Sequence, residues 1–436
     1  MLAFWQFTYS YLLIPLFWLV IRCLGLVNDK VRRGIRGRKH LFATLEAKVG
    51  SLKPGKRLWI HSSSLGEFEQ AKPIIAEVKK RFPDLRIIVT FFSPSGFEHS
   101  RRYPLADLIS YLPFDSRAGA RRFLAIVQPD AAVMVRYDIW PNHIWETHRL
   151  GIPLMIANAT MRRQTARRIP LIRSFHQHVY NAIDEILTVS ETDRQAFWFY
   201  RLTHPQIVVV GDSRYDQVVT RSFEAQQRHL IPDTVLAGKQ VIVVGSSWPE
   251  DEEVILPVFY KLQETLPDLL MILVPHEPTV HRIEELEDTL TGNSSSIRFS
   301  GLNDYANQRV LIVDSIGVLV ALYKYAHVAY VGGSFRQGVH NVLEAAVYGV
   351  PVVFGPRHRN SQEPLMLVEK GGAFVVNNSP ELYRTMRNLL EDERARRRAG
   401  DRAAAFVQSH IGATEGLLKH FDPFLKTSST ETGKSS

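Results

Sequence analysis

Short apolar runs alternate with amphipathic segments along most of this chain. Runs of four to six residues suit strands that are buried on both faces, and the segments between them repeat apolar positions at helical spacing. The alternation predicts two series of parallel strands with helices between them. The first series is predicted at residues 57–61, 86–90, 108–111, 131–135, 154–157, 186–189 and 207–210. The second is predicted at residues 241–245, 269–274, 310–313, 328–331, 352–354 and 373–376.

A polar segment that is broken by Pro232 and Gly238 separates the two series. The sequence therefore predicts an N-terminal α/β domain over residues 28–215 and a C-terminal one over 216–425. Ligands of such sheets bind beyond the carboxyl ends of the strands, so we expect a site between two facing domains. Residues 426–436 are rich in Ser, Thr and Gly and are predicted to be a disordered tail.

Residues 2–21 carry no charge and are rich in aromatic side chains, over about the length that crosses a bilayer as a helix. Arg22 and a basic run at residues 30–40 follow, which places the rest of the chain in the cytosol by the positive-inside rule. A secretory signal would carry its charge before the apolar core. Residues 1–27 are thus a predicted membrane anchor. A helix half-sunk in the membrane, or docked in a groove of the protein, is the alternative.

The formal net charge is +9, with basic residues concentrated at 30–40 and 161–173. Such clusters favour anionic lipid, nucleic acid or phosphorylated substrates. Aromatic residues that would stack bases are not interleaved with them, which argues against nucleic acid. Cys23 is the single cysteine, which excludes an internal disulfide and a cysteine-based zinc cluster. The spacing of histidines suggests no other metal site, so no metal and no cofactor are expected.

Residues 331–356 read as the end of a strand, a glycine turn, a helix and another strand. Gly332 and Gly333 permit the sharp turn, and the helix is predicted to begin at residues 339–341. A turn of this kind can aim backbone N–H groups at a phosphate, while Glu344 in the first helical turn suits a ribose diol. Nucleotide-sugar binding is one hypothesis for this stretch. An ordinary crossover, in which the glycines only make the turn, is the other.

Other polar loops follow predicted strands in both domains. In the first domain Glu67 stands at the start of a predicted helix, where it could remove a proton from an attacking hydroxyl. Acidic residues are also favoured there on electrostatic grounds alone. In the second domain the loops at residues 245–249, 274–278 and 313–317 would outline one pocket with the glycine turn. A nucleoside-triphosphatase phosphate loop is absent from the sequence.

Taken together, the motifs resemble the Kdo transferases of lipopolysaccharide assembly. The resemblance rests on an apolar N-terminus and, in order along nearly the whole chain, on Ser64-Leu65-Gly66-Glu67, Ile139-Trp140-Pro141-Asn142, Gly245-Ser246-Ser247-Trp248-Pro249, Gly332-Gly333-Ser334 and His340-Asn341-Val342-Leu343-Glu344. It implies a GT-B fold of two Rossmann-like domains. It also implies metal-independent, inverting transfer of 3-deoxy-D-manno-oct-2-ulosonic acid (Kdo) from CMP-Kdo to a lipid A precursor at the inner membrane.

The resemblance also implies roles for individual residues. Glu67 corresponds to the general base, and Asp138 is a second candidate catalytic residue. The donor nucleotide would be bound by Ser246, Ser247, His276, Ile316, Gly317, Gly333, Ser334, Asn341 and Glu344. The acceptor would be bound by Ser64, Gly66, Arg136 and Arg162, with the basic clusters facing its phosphates and the anionic membrane surface.

The sequence departs from the family pattern in three places. The family's Pro-Arg-His-Pro is Pro275-His276-Glu277-Pro278 here, so His276 replaces an arginine, for which Arg336 or Arg357 could compensate. Its Glu-Thr-Glu-Leu-Trp-Pro-Asn begins here with Arg136-Tyr137-Asp138, and its Asn-Ala-Arg ends in Thr160.

Two alternatives stay open at this point. One is another GT-B transferase or an epimerase that uses a UDP-sugar, in which Glu344 would bind ribose equally well. The other is a membrane-tethered protein that binds anionic lipid without catalysis, which would tolerate substitution of Glu67.

Overall fold

The computed structural model describes residues 1–161, 169–359 and 361–425. It divides into two compact units. Unit 1 comprises Met1–Gln217 and the chain from Ile411 onward, and unit 2 comprises Val218–His410. The predicted disordered tail at residues 426–436 lies outside the described residues.

Unit 1 contains a seven-stranded parallel sheet. Its strands run in the order β3-β2-β1-β4-β5-β6-β7 across the sheet. They are β1 (Arg57–His61), β2 (Arg86–Phe91), β3 (Leu108–Tyr111), β4 (Ala131–Val135), β5 (Leu154–Ala159), β6 (Glu185–Thr188) and β7 (Gln206–Val209). Side chains alternate between two buried layers, as the period of two requires: Leu58 and Ile60 pack into one layer and Trp59 into the other. This explains why the strands read as continuous apolar runs.

Helices cover both faces of this sheet. The helices that begin in unit 1 before residue 218 are α1 (Leu2–Thr8), α2 (Ile14–Val27), α3 (Asp29–Gly37), α4 (Leu41–Gly50), α5 (Leu65–Arg81), α6 (Pro94–Ser100), α7 (Arg117–Val127), α8 (Pro141–Arg149), α9 (Pro170–Tyr180), α10 (Glu191–Trp198) and α11 (Ser213–Gln226), which continues into unit 2.

Unit 2 repeats the architecture with a second seven-stranded parallel sheet, in the order β10-β11-β9-β8-β12-β13-β14. Its strands are β8 (Gln240–Ser247), β9 (Leu269–Pro275), β10 (Ser296–Arg298), β11 (Val310–Ile312), β12 (Val328–Val331), β13 (Val352–Phe354) and β14 (Ala373–Val375). Its helices are α12 (Asp233–Leu236), α13 (Pro249–Gln263), α14 (Val280–Leu290), α15 (Leu319–Leu322), α16 (Leu343–Ala346), α17 (Gln362–Lys370), α18 (Ser379–Glu391) and α19 (Glu393–Gln408). Short 3₁₀ segments occur at Phe299–Asp304 and Tyr323–Tyr325.

The last described helix, α20 (Ala413–Leu425), belongs to unit 1. Leu417, Leu418 and Phe421 are fully buried in the same layer as β1 and β2. These residues were predicted to belong to the C-terminal domain, because nothing in the local sequence marks the return of the chain to unit 1.

The N-terminal segment is one apolar helical rod with a π-helical turn at Tyr9–Leu13 between α1 and α2. Among the described residues, Leu2–Val27 is the single helical segment long and apolar enough to cross a membrane. One face docks on unit 1: the Trp5 indole donates to Ser174 Oγ (3.2 Å), the Tyr9 hydroxyl to Asp115 Oδ2 (2.8 Å) and the Ser10 hydroxyl to Asn142 Oδ1 (2.7 Å). Three of its polar groups are therefore hydrogen-bonded to the rest of unit 1, while most of its apolar side chains stay exposed.

All thirteen predicted strands are present within one or two residues of their predicted ends, and the doubly wound fold class is confirmed in both units. Strand β10 was missed because its three residues carry little apolar signal. The helix predicted to begin at residues 339–341 is a single turn beginning at Leu343. The residues before this helix form an irregular loop, because the backbone of residues 336–340 folds back onto Gly332 and Gly333.

Candidate active site

The carboxyl ends of β1 and β4 form the point in unit 1 where the strand order reverses direction. Crevices at such points bind ligands in open parallel sheets. His61 is the last residue of β1, and Asp138 lies in the loop after β4. Both predicted catalytic carboxylates, Glu67 and Asp138, are attached to this edge of the sheet.

A buried histidine and a carboxylate meet across this reversal point. His61 Nε2 lies 2.9 Å from Asp138 Oδ2, and the His61 side chain is fully buried. Ser63 and Trp140 also donate to Asp138 Oδ2, the indole N–H at 3.2 Å. Three donors thus converge on one carboxylate oxygen.

The second nitrogen of His61 is held from inside the sheet. Trp59 Nε1 donates to Thr90 Oγ1 (2.8 Å), and Thr90 Oγ1 lies 2.9 Å from His61 Nδ1. An indole N–H can only donate, so the Thr90 hydroxyl is free to give its proton to His61 Nδ1. This order places an N–H on His61 Nε2, facing Asp138 Oδ2.

Asp138 is held as a carboxylate. Burial alone would raise the pKa of the Asp138 carboxyl, but the hydrogen bonds and charge of His61, followed by those from Ser63 and Trp140, outweigh burial and lower the pKa below its ordinary value. The group therefore supplies a fixed negative charge at the reversal point rather than a readily protonated base.

Glu67 occupies the third position of α5 and forms a capping box with Ser64. Glu67 Oε2 accepts hydrogen bonds from the Ser64 N–H (2.7 Å) and the Ser64 hydroxyl (2.5 Å). The side chain is buried, and among the described residues Oε1 has no hydrogen-bond partner. Glu67 therefore fits both predictions: Oε2 caps the start of α5, and Oε1 is available for proton transfer.

Three non-glycine residues with left-handed backbones lie at carboxyl ends of strands: Arg136 (φ 72°), Asn158 (φ 53°) and Ser246 (φ 54°). Such strain concentrates at functional sites. Asn158 is fixed by Ser213, which donates its N–H to Asn158 Oδ1 (3.1 Å) and accepts from Nδ2 (2.7 Å). Arg136 lies over the Tyr137 ring (5.4 Å), and in the described part of the chain no carboxylate pairs with it. Arg136 is therefore a cation available to an anionic ligand.

Two other predicted acceptor contacts behave differently. Gly66 lies in the first turn of α5, where an added Cβ would come no closer than 3.9 Å to Ser64 Oγ. Its position requires no glycine on steric grounds. Arg162 lies outside the described residues.

In unit 2 the corresponding reversal point is at β8 and β12. Gly332 follows β12, and a Cβ there would lie 2.3 Å from Ser246 O and 2.9 Å from Ser247 Cα. Gly333 has φ 90°, and a Cβ would lie 2.5 Å from Gly338 O. Both glycines are required by close backbone approach.

Backbone N–H groups of the glycine turn are mostly consumed within unit 2. Gly332 N–H donates to Gly245 O (2.8 Å), and the N–H groups of Gln337 and Gly338 donate to Gly333 O (3.0 and 2.8 Å). Gly333 N–H donates to Asp251 Oδ2 (2.7 Å). Burial raises the pKa of the Asp251 carboxyl, against these donors. The N–H groups expected to cradle a phosphate therefore build the turn itself, and the one-turn helix α16 contributes little dipole.

The serine hydroxyls of this edge already have partners in the protein. Ser247 donates to Glu252 Oε1 (2.7 Å), and Ser334 Oγ accepts the Gly355 N–H (2.6 Å). Both side chains are buried. They fix the loops, while the strained backbone of Ser246 is the more exposed feature.

A layer of stacked rings takes the place of the expected arginine. His276 stacks on Trp248 (4.6 Å between ring centroids) and on His340 (4.4 Å), and Trp248 Nε1 donates to His340 Nε2 (3.0 Å). The Arg336 guanidinium lies 4.3 Å from the Trp248 ring. Burial, followed by the neighbouring His276, lowers the pKa of His340 to about 4. His340 is therefore a neutral acceptor at pH 7.

The remaining predicted donor residues lie in two segments of unit 2, the loop before α15 and the start of α16. Asn341 Nδ2 donates to Glu344 Oε1 (3.1 Å), and Arg221 lies 3.8 Å from the same oxygen. Ile316 is 87% exposed and precedes Gly317, whose φ is 79°. An exposed apolar side chain beside a glycine bend can pack on a flat ligand, and the Asn341–Glu344 pair can bind vicinal hydroxyls.

One group of possible metal ligands lies at the other edge of the unit 1 sheet. Side chains of His148, Asp184 and His204 have ligand atoms within 4.8 Å of one another. Asp184 and His204 precede β6 and β7, so the group is at the amino ends of the strands. It is not part of the candidate site.

Comparisons with known proteins give both a family and a fold. The family model for 3-deoxy-D-manno-octulosonic-acid transferase (kdotransferase) matches residues 36–217, ending where the first segment of unit 1 ends. The 3-deoxy-D-manno-octulosonic acid transferase of Haemophilus influenzae is 27% identical over 97% of this chain and 99% of its own. An Arabidopsis thaliana protein named as a probable mitochondrial transferase of the same kind is 31% identical over 74% of each chain. The chain belongs to the 3-deoxy-D-manno-octulosonic acid (Kdo) transferase family.

Solved structures agree on the fold. The UDP-GlcNAc 2-epimerase of Neisseria meningitidis has a TM-score of 0.55 at 14% identity, covering 84% of this chain and all of its own. The enzyme of the same name from Methanocaldococcus jannaschii has a TM-score of 0.54 at 17% identity, covering 81% of this chain and 99% of its own. This Kdo transferase family member thus has the GT-B-type pair of Rossmann-like domains that the resemblance implied.

In this Kdo transferase family member, three side chains of the candidate site had no predicted role: His61, Asp251 and Trp248, the last within the predicted pocket loop at residues 245–249. His61 ends an apolar strand, and a polar residue at a carboxyl strand end is a usable signal. The partnership of Asp251 with Gly333 joins residues 82 positions apart and leaves no local signal. Stacking of Trp248 on His276 likewise depends on the adjacency of β8 and β9.

Proposed function

We propose that the protein is an inverting glycosyltransferase that moves Kdo from CMP-Kdo to a lipid A precursor, with Glu67 as general base. Membership of the Kdo transferase family supports the reaction. The observation that carries the assignment of Glu67 is the loop after β1. There two consecutive serines hold two carboxylates, Ser63 binding Asp138 and Ser64 binding Glu67.

Glu67 fits the task of a base through its second oxygen. Ser64 fixes Oε2, which leaves Oε1 to take the proton of the acceptor hydroxyl. The hydroxyl oxygen then bonds to the anomeric carbon of Kdo as the bond to the CMP phosphate oxygen breaks, and the electron pair leaves with CMP. A single displacement of this kind inverts the anomeric centre. No metal takes part in this proposal.

Asp138 is proposed to act by charge and position. Its lowered pKa makes it a poor proton acceptor at neutral pH, and His61 holds it in place. A fixed carboxylate at the β1/β4 edge stabilises positive charge that develops at the anomeric carbon, or orients the acceptor hydroxyl. We assign acceptor contacts to Ser64, Gly66, Arg136 and Arg162 as the resemblance implies.

The donor nucleotide is assigned to unit 2. We propose that Arg336, which lies on Trp248 beside His276, supplies the cation that the family's arginine provides. Arg357 is the weaker candidate because its guanidinium donates to the Arg336 carbonyl. Ile316 and Gly317 would pack on the base, and Asn341 and Glu344 would bind the ribose. Ser246, Ser247, Gly333 and Ser334 would shape the loops around the phosphate.

The membrane assignment concerns the apolar N-terminal helix. We propose that the protein is held at the cytoplasmic face of the inner membrane by this single anchor. Trp5, Tyr9 and Ser10 are hydrogen-bonded to the rest of unit 1. We therefore propose that the helix lies along the membrane surface with its exposed apolar side in the lipid. Anionic lipid head groups would face the basic clusters.

The decisive experiment measures CMP release from CMP-Kdo, with and without a lipid A precursor, for the wild type and Glu67→Gln. Glutamine preserves the capping box, so the substitution removes basicity while keeping the helix start. We expect acceptor-dependent release that falls by about 10² in the variant. Glu69→Gln is the matched control: Glu69 lies on the same helix and pairs with Lys72 and Gln217, and its change should leave kcat intact.

Unchanged turnover in Glu67→Gln would remove the base assignment. Binding of UDP without CMP, measured by calorimetry on the same protein, would favour the UDP-sugar alternative. Absence of any acceptor-dependent release would favour the non-catalytic lipid-binding alternative.

A further inference from the structure

A cavity of about 710 Å³ lies inside unit 1, between the N-terminal helix and the body. The helix contributes Ser10, Ile14, Pro15, Trp18 and Leu19, and the opposite wall comes from α4 and from the loop that leads into α7. The volume is within the range of about 300–1,000 Å³ that is usual for small-ligand sites. Most of the lining is apolar, which suits a hydrocarbon.

One cation, Arg38, stands in the wall of this cavity. Its guanidinium donates to three backbone carbonyls, those of Gly34 (2.9 Å), Phe92 (2.7 Å) and Leu112 (2.8 Å). It also lies 4.7–5.0 Å from the ring centroids of Phe92, Tyr111 and Phe114. Burial lowers the pKa of Arg38 to about 10, although the nearby Tyr111 works the other way.

In the described part of the chain, no carboxylate lies within ion-pair distance of Arg38. Three carbonyl dipoles and three ring faces stabilise the cation without neutralising it. An apolar cavity with an unneutralised cation in its wall has the recognition chemistry of an anionic amphiphile, whose tail fills the space and whose negative group meets the charge.

Access to the cavity is from the lipid side. Trp18 and Leu19 line the cavity and are 42% and 55% exposed, and they belong to the apolar side of α2 that we assign to the membrane. A hydrocarbon chain reaching the cavity along this face stays in contact with apolar surface throughout.

The cavity also adjoins the candidate catalytic carboxylate. The ring of Phe114, in the cavity wall, lies 6.1 Å from that of Phe92, and Phe92 packs on Trp140 at 4.4 Å. Trp140 in turn donates its indole N–H to Asp138. Two aromatic layers therefore separate the cavity from the proposed site of chemistry.

We propose that this cavity is the acyl-chain subsite of the acceptor, with Arg38 facing an anionic group of the acceptor's head. The inference rests on the proposed function for the identity of the lipid, since the geometry itself requires only an anionic acylated lipid. We assign the substrate as the occupant because the cavity wall packs through Phe92 on Trp140, which donates to Asp138. A permanently bound phospholipid is the competing occupant.

The test compares Ile14→Phe, which fills the cavity from the helix, with Leu16→Phe, an equal increase in size on the exposed face. Acceptor kinetics are measured with the lipid A precursor and with its chemically deacylated form. We expect Ile14→Phe to raise the KM for the acylated acceptor by about tenfold, the effect of no longer burying about two methylene groups. The KM values for the deacylated acceptor and for CMP-Kdo should not change, and Leu16→Phe should behave as the wild type.

Equal KM values of Ile14→Phe and Leu16→Phe for the acylated acceptor would overturn the proposal. A bound phospholipid would instead make Ile14→Phe lower the melting temperature and kcat for both acceptors alike, which also contradicts it. Binding of the lipid A precursor to the full-length protein without donor, followed by native mass spectrometry, separates the two proposals: loss of binding in Ile14→Phe alone supports the cavity even if no CMP is released.

The role of Arg38 is tested with one substitution that removes its charge and one that keeps it. Arg38→Gln should weaken binding of the lipid A precursor by about tenfold, and Arg38→Lys should restore at least half of that loss on a logarithmic scale. Since Arg38 also joins three carbonyls, each variant is compared at temperatures below its own measured melting midpoint. Equal binding by the glutamine and lysine variants would remove Arg38 from the subsite.

Discussion

The two sheet edges where the strand order reverses differ in how their polar groups are used. At the β1/β4 edge of unit 1, the charges of Asp138 and Glu67 are each held through one oxygen. At the β8/β12 edge of unit 2, the buried carboxylate of Asp251 accepts hydrogen bonds from the Gly333 N–H and the Tyr330 hydroxyl, one on each oxygen. The same fold thus presents reactive groups at one edge and a rigid, stacked surface at the other.

This difference indicates a division of labour within a shared architecture. Unit 1 keeps carboxylate oxygens available, as proton transfer requires. Unit 2 uses its donors to fix loop shape, which suits the nucleotide binding that we propose for it. Substitutions that change shape should therefore act most strongly in unit 2, and substitutions that change only charge should act most strongly in unit 1.

The largest effect is expected from Gly332→Ala. The new Cβ would meet the backbone of Ser246 and Ser247, which cannot move without breaking the β8/β12 pairing. We expect a loss of about 3 kcal/mol in the free energy of unfolding, the upper range for overpacking. Urea unfolding measures the loss, and CMP binding should fall in parallel.

Gly66→Ala is the matched change in unit 1. Its Cβ finds open space, and alanine favours the helix over glycine, so we expect a gain of about 0.5 kcal/mol. Equal losses at Gly332 and Gly66 would contradict the claim that close backbone approach matters at the β8/β12 edge and not at the start of α5.

A smaller effect is expected from Asp138→Asn, which keeps an oxygen for His61, Ser63 and Trp140 but removes the charge. We expect kcat to fall about tenfold, or about 1.4 kcal/mol, the difference between a charged and a neutral hydrogen bond. Asp130→Asn is the control, because Asp130 accepts the Arg57 N–H (2.8 Å) at the amino ends of the same strands. Equal kcat values for Asp138→Asn and the wild type would show that the charge is not used.

The same variant has a pH signature. The pKa of Asp138 is lower in the folded protein than in the unfolded chain, so its charge contributes stability above the unfolded pKa of about 3.9. That contribution disappears as the pH falls through the folded pKa. The stability difference between wild type and Asp138→Asn should be constant above about pH 5 and shrink below about pH 4.

Most of the fold could be predicted from the sequence because buried parallel strands leave an unbroken apolar signal. The assignment of Glu67 to a helix start, and of the glycines to a sharp turn, followed from local chemistry in the same way. What could not be predicted depends on pairing between distant strands: the occupied N–H groups of the glycine turn, the His61–Asp138 contact and the stacking of His276. The return of α20 to unit 1 was not predicted for the same reason.

The smallest effect is expected at His340, and it separates shape from charge within unit 2 itself. Its pKa of about 4 lies below the unfolded value of about 6.5, so between these limits the unfolded chain binds a proton that the folded protein does not. Stability contributed by neutral His340 is thus present above about pH 6.5 and is lost as the pH falls toward 4. Protonation would put a positive charge against His276 and end the hydrogen bond from Trp248.

His340→Gln, which can still accept a hydrogen bond from Trp248, should reduce the decline in melting temperature over this pH range by about 2 °C. The exposed His281 is the control, and His281→Gln should leave the decline as it is. A wild-type decline that persists unchanged in His340→Gln would mean that the stacked layer of unit 2 responds to pH through some other group.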